Sequence, residues 1–185
     1  MTDLMKRFER LEAGRLDLIR ALREADPPAL VSSPEADRWS ALQIVAHLIS
    51  AEKQSLGYLQ KKMSDPVALP EAGMGATFRS LVLALALVSP LKFKAPKGVD
   101  KIPPHQDLDD LVGRWDAIRA EWRVRIEDFP PELERKAVFR HPRAGRLTLA
   151  QTLGFLDGHV QHHRRQITRL LSTRLPRTIQ PKIAG

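Results

Sequence analysis

Cysteine is absent from this chain of 185 residues. That absence excludes disulfide bonds, thiolate metal ligands and cysteine nucleophiles. A metal site in this protein must therefore be built from histidine or carboxylate side chains, which bind divalent cations through imidazole nitrogen or oxygen atoms.

Long apolar runs are missing as well. The least polar segment, residues 81–88, is far shorter than the roughly 20 residues that a helix needs to span a bilayer. The N-terminal stretch MTDLMKRFERLEAGRL mixes charges with helical periodicity and lacks the apolar centre of a secretory signal. We therefore expect a soluble, cytoplasmic protein that does not enter the membrane.

Aromatic residues are scarce: one tyrosine, three tryptophans and six phenylalanines. Proteins that bind single-stranded nucleic acid stack bases on such rings, and no RNA- or DNA-binding signature is present. The net charge of +8 is compatible with an anionic partner, although arginine-rich basic enzymes carry similar charges. The composition disfavours nucleic acid as a partner.

Four segments carry apolar residues at spacings of three and four, which is typical of helices with one buried face. Two of them begin with a capping box, Ser40–Gln43 and Thr148–Gln151, which satisfies free N–H groups at a helix start. A shorter, very apolar helix is predicted at Ala76–Ser89. The long helices are predicted at residues 3–25, 40–63, 107–129 and 148–171.

The connections between these helices are rich in proline, and we expect Pro27-Pro28 to end the first helix and to be followed by a loop of roughly ten residues. Residues 91–106 are also basic, and we expect an extended crossover there. No alternating pattern indicates a strand, so residues 132–145 are predicted to be a plain connection. The sequence thus predicts an all-α protein, a four-helix bundle with one long crossover and a short additional helix. It predicts one domain over residues 1–172 and a loose tail over 173–185.

The last predicted helix holds a pair of histidines in a position to chelate a metal. His163 belongs to the apolar row that includes Val160 and Ile167, and His159 lies one turn earlier. Two imidazoles at i and i+4 can bind one divalent cation. His159 and His162, at i and i+3, could chelate instead, but His162 points away from the row.

A catalytic metal site usually needs a third protein ligand and an open position for water. His47 is the best candidate. It lies one to two turns from the start of the second long helix, and the packing of helices in a bundle can bring that position next to the histidine pair. A single helical histidine is more often structural than a ligand. Glu52 and Asp157 are the rivals, but Glu52 lies on the apolar side of its helix and Asp157 faces away from His159.

Taken together, these features resemble a known family. Trp39-Ser40, His47 within IVAHLISAE, and the closing HPRAGRLTLAQ and HVQHHRRQI segments are similar to the DinB/YfiT-like superfamily of metal-binding four-helix bundles. The resemblance implies a site of His47, His159 and His163 that binds zinc or nickel. It also implies that Gln166, one turn beyond His163, orients a ligand or the substrate.

The resemblance further implies what such a site does. Family members activate a water or a low-molecular-weight thiol, so the expected activity is that of a metal-dependent hydrolase or thiol S-transferase. The alternative is a non-catalytic, stress-related metal-binding module. Members commonly form homodimers. No residue of this sequence stands out as a general base, which leaves both reactions open.

Overall fold

Four long helices pack around an apolar core. The structure, a computed structural model, describes residues 1–33, 38–65, 69–72, 102–103, 106–141 and 144–172. Its helices are α1 (Asp3–Arg23), α2 (Pro27–Val31), α3 (Ala41–Met63), α4 (Leu108–Glu127) and α5 (Leu149–Ser172). A 3-10 turn at Pro131–Leu133 precedes a two-stranded antiparallel hairpin of β1 (Phe139–His141) and β2 (Gly145–Leu147).

The predicted capping boxes fix the starts of the two helices that carry the histidines. Ser40 Oγ accepts the Gln43 N–H, and Gln43 Oε1 accepts the Ser40 N–H at 3.0 Å. Thr148 and Gln151 make the same reciprocal pair at 3.2 and 3.0 Å. Each pair satisfies two N–H groups that have no partner inside the helix.

Each of the four long helices packs against two of the others. α1 packs against α4 and α5, and α3 packs against the same two helices from the other side. The enclosed side chains are mostly leucine and isoleucine with two fully buried tryptophans, Trp115 and Trp122. Burying these apolar surfaces is the main stabilising term, at about 25 cal/mol per Å² removed from water. The predicted bundle and its buried faces are confirmed.

Charged residues also lie inside the bundle, at the junction of α1, α3 and α4. Glu52 accepts two hydrogen bonds from Arg119 at 2.7 and 2.8 Å and one from the Trp115 indole at 2.9 Å. Arg15, which interrupts the apolar pattern of α1, is buried and pairs with Glu12 and with Asp116. Burial raises the pKa of Glu52, and Arg119 opposes that shift.

Two predictions about the connections were wrong. Residues 132–145 contain strand β1 and the first residue of β2, although no strand was expected; strands of three residues are too short to show an alternating pattern. Pro27-Pro28 begins the short helix α2 instead of a plain loop, since proline is well suited to the first helical positions.

Several predictions fall outside the described residues. They are the helix at Ala76–Ser89, most of the crossover at residues 91–106 and the tail at 173–185. Within the part of the chain that is described, no helix combines the length and apolar character needed to cross a membrane.

Candidate metal centre

Three histidines from two helices converge at one point. His159 Nε2 lies 3.2 Å from His47 Nε2 and 3.1 Å from His163 Nε2. One potential ligand atom from each ring lies within 4.8 Å of the other two. Because α3 packs against α5, His47 comes level with the histidine pair although 112 residues separate it from His159. The structure thus brings together the three histidines that the sequence singled out.

The rings are held by their aromatic neighbours. The indole of Trp39, just before the start of α3, lies 5.1 Å from the His47 ring. Phe155, one turn before His159 on α5, stacks on the His159 ring with centroids 5.6 Å apart. Rings packed in this way lose rotamer freedom before any ligand arrives, so the nitrogen atoms are preorganised.

Burial keeps the cluster neutral. It lowers the pKa of His47, and it lowers the pKa of His159 well below the usual range, with smaller contributions from His163 and His47. Burial, followed by the neighbouring His47, lowers the pKa of His163 to about 3. All three rings are therefore uncharged at neutral pH, and the neutral imidazole is the form that binds a metal.

Gln166 selects the tautomer of one ring. Its Oε1 lies 2.9 Å from His163 Nδ1, and an amide oxygen can only accept a hydrogen bond, so Nδ1 carries the proton. The Nε2 of His163 then presents its lone pair to the centre of the cluster. A hydrogen bond to the far nitrogen of this kind is what orients most metal-binding histidines.

The rival ligands lie elsewhere. The His162 ring packs edge-on against His163 at 5.0 Å but does not join the cluster of ligand atoms. Glu52 is committed to Arg119 and Trp115 inside the bundle. Asp157 lies on the side of α5 that faces Gly14 of α1. The structure places His163, and not His162, among the converging nitrogen atoms.

Sequence patterns assign no role to His141, whose ring contacts Phe155, the residue that stacks on His159. His141 ends strand β1, and its ring meets Phe155 at 4.6 Å, so Phe155 separates it from His159. The pairing of β1 with β2, which contacts α5, places His141 beside Phe155. The local signal that could have indicated the turn is His141-Pro142 followed by Gly145.

A four-helix bundle in which three imidazoles converge from two helices is typical of proteins that bind a metal ion through histidine side chains. The family model of the DinB superfamily matches residues 10–167, and the chain belongs to that superfamily. The predicted family is thus confirmed. No curated protein matches the sequence.

A solved structure shares the fold. YfiT from Bacillus subtilis, described as a probable metal-dependent hydrolase with an unusual four-helix bundle topology, is similar with a TM-score of 0.60 and 17% sequence identity. The similarity covers 94% of this chain and 89% of that chain. At this identity the likeness establishes the fold and confirms the four-helix bundle.

Proposed function

We propose that this protein is a metal-dependent enzyme in which His47, His159 and His163 hold one divalent cation, zinc or nickel. The observation that carries the proposal is the convergence of three neutral imidazole nitrogens, with Nε2–Nε2 distances of 3.1 and 3.2 Å. Imidazole nitrogen is a preferred ligand of both metals, and a set of three protein ligands leaves coordination positions open.

The residues of the chain fit such a cation. The His163 Nε2 faces His159 Nε2 at 3.1 Å, and a cation bound by both nitrogen atoms would satisfy their buried lone pairs. A bound cation supplies Lewis acidity, which lowers the pKa of a coordinated water or thiol towards neutrality. The protein's own contribution is to keep the three rings neutral, to orient His163 through Gln166 and to hold the His47 and His159 rings against Trp39 and Phe155.

Hydrolysis of a small molecule is the reaction we propose first. It is supported by membership of the DinB superfamily and by the structural similarity to YfiT, itself described as a probable metal-dependent hydrolase. Transfer to a low-molecular-weight thiol is the second candidate, since the same Lewis acidity activates a thiol. A metal-binding module without turnover is the alternative from a different class. The homodimer and the cytoplasmic location stay predictions of the sequence.

Metal content tests the proposed ligands. We expect about one zinc or nickel ion per purified wild-type chain, and a severalfold loss in His47→Ala and His163→Ala, because three ligands complete the site. His162→Ala is the matched control, since His162 adjoins His163 and lies outside the cluster. Elemental analysis gives the content, and circular dichroism checks folding. A wild-type content below about one ion per two chains, unchanged in both ligand variants, would refute the site.

Turnover tests the reaction. Metal-loaded protein is assayed with ester, amide and electrophilic substrates, with and without small thiols, beside the His163→Ala variant. Product formation without thiol supports a hydrolase, and product formation that requires thiol supports a transferase. A full metal content with no turnover in any arm favours the non-catalytic module.

A further inference from the structure

A row of aromatic rings leads from the candidate metal centre to the hairpin. Phe155 stacks on the His159 ring, with centroids 5.6 Å apart and planes 14° from parallel. Phe139 of β1 stacks on Phe155 in turn, at 6.3 Å and 17°. Tyr58 of α3 meets the Phe139 ring edge-on at 5.5 Å. These are the separations of favourable aromatic pairs, so each ring limits the movement of the next.

The backbone of the hairpin fixes the position of Phe139. Its Cα lies opposite that of Leu147 in the antiparallel register, and the Val138 N–H donates to the Leu147 carbonyl at 3.0 Å. Leu147 is fully buried and directly precedes the capping box at Thr148 and helix α5. Phe139 is therefore held at a fixed place relative to the start of the helix that carries His159.

The row also joins the two helices that supply the histidines. Tyr58 lies about three turns beyond His47, and so on nearly the same side of α3. The two helices meet directly where His47 approaches His159 at 3.2 Å. They are also bridged by the hairpin, because β1 contacts α3 and β2 contacts α5.

The rings of this row are less enclosed than those of the core. Phe139 and Phe155 are both half-buried, whereas Phe8, Trp115, Trp122 and Phe129 are buried. A half-buried ring has fewer neighbours, so the single contact with Phe139 is a larger part of what holds Phe155 in place. The direction of a ligand atom must be held within about 10–20° for good binding. Without the Phe139 ring, Phe155 and the His159 imidazole stacked on it gain freedom to turn.

We infer that Phe139 is a positioning residue of the metal centre. It holds Phe155 against the His159 ring and, through Tyr58, links the hairpin to the helix that carries His47. A phenylalanine has no ligand atom for a cation, so Phe139 acts on the metal only through its neighbours. This inference rests on the proposed metal site and adds the hairpin to the structure that supports it.

Two substitutions of one residue separate the ring from its volume. Phe139→Leu removes the ring and keeps most of the apolar volume, whereas Phe139→Tyr keeps the ring. Phe129→Leu is the matched control, since Phe129 is a buried ring just after α4. Competition with a chromophoric chelator gives the zinc dissociation constants, and the visible spectrum of the cobalt(II)-loaded proteins reports the coordination geometry. Circular dichroism selects a temperature at which every metal-free variant is folded, so that a loss of stability does not enter the dissociation constant.

We expect Phe139→Leu to weaken zinc binding about three- to tenfold, which is the loss of one aromatic pair expressed as a ratio of dissociation constants, and to shift the cobalt spectrum. Phe139→Tyr should bind zinc within about twofold of the wild type, because the stacked ring is kept. Phe129→Leu should lower the stability and leave both metal measurements unchanged. Equal zinc affinities and equal spectra of Phe139→Leu and Phe129→Leu overturn the inference. So does a loss in Phe139→Tyr as large as that in Phe139→Leu, since the ring is then not the cause.

The metal-free protein gives a second readout. The ring current of Phe155 shifts the side-chain proton resonances of His159, because the two rings are stacked. We expect these resonances in NMR spectra to move in Phe139→Leu and to stay in place in Phe129→Leu. Unmoved resonances in Phe139→Leu overturn the inference even when the wild type binds zinc. Absence of zinc binding by the wild type is a different result, because it refutes the proposed metal centre and the inference with it.

Discussion

At the scale of single residues, the candidate centre depends on which nitrogen of each imidazole carries the proton. Gln166 settles this for His163, and the Ala144 N–H settles it for His141 in the opposite sense. Both partners are a few residues away in the chain, so local geometry sets the chemistry of each ring. His159 and His47 receive their environment from packing between α3 and α5.

Substitution of Gln166 tests this local control. Gln166→Leu should weaken zinc binding by about 10- to 100-fold, because the His163 ring loses the acceptor that orients it. Gln166→Glu keeps an acceptor and should retain most of the affinity. Competition with a chromophoric chelator measures both values. Gln54→Leu, at an exposed position of α3, is the control, and a Gln166→Leu affinity equal to that of Gln54→Leu would contradict the prediction.

At the scale of elements, the long helices and the hairpin follow from different amounts of sequence information. A helix of more than 20 residues repeats its apolar pattern several times and carries a cap, so its position can be read from the sequence. The strands β1 and β2 have three residues each, and their pairing depends on one turn that Gly145 closes with a positive φ.

Two glycines should respond in opposite directions to alanine. Gly145→Ala should lower the free energy of unfolding by about 1–2 kcal/mol, since a side chain disfavours the left-handed conformation. Gly154→Ala, in α5, should raise it by about 0.5–1 kcal/mol, because alanine has the better helix propensity and its Cβ meets no atom within 4 Å. Urea denaturation of both variants measures the changes, and a shift of the same sign in both would contradict the prediction.

At the scale of the whole molecule, the described part of the bundle holds polar clusters on two different sides of α3. One is the histidine cluster shared with α5, and the other is the Glu52–Arg119 pair shared with α4. The second has no role in the proposed chemistry. It joins α3 to α4 by two hydrogen bonds in a bidentate ion pair, a geometry that favours one alignment of the two helices.

Removing the charge of Glu52 should therefore destabilise the folded protein. Glu52→Gln leaves the buried Arg119 with only the longer contact to Glu12, at 3.4 Å, as an ion pair, and we expect the free energy of unfolding to fall by about 3 kcal/mol. Glu9→Gln breaks an exposed pair with Arg123 and should change it by less than about 1 kcal/mol. Urea denaturation compares the two variants. Equal effects would show that burial does not govern the Glu52–Arg119 pair.

The sequence by itself determined the four long helices, the capping boxes of two of them, the superfamily and the histidines that could meet. These follow from local patterns, namely apolar spacing, capping boxes and short motifs, that are complete within one segment of chain. For the choice between His162 and His163, the sequence indicated only which face of the helix each side chain occupies.

Tertiary structure alone decided what depends on two segments meeting in space. The packing of α3 on α5 brought His47 to 3.2 Å from His159, the junction with α4 gave Glu52 a partner, and the hairpin brought His141 to Phe155. The physical reason is that imidazole nitrogens and carboxylates act only over a few ångströms. The spacing of residues within one segment does not fix a distance of that size between atoms of two different segments.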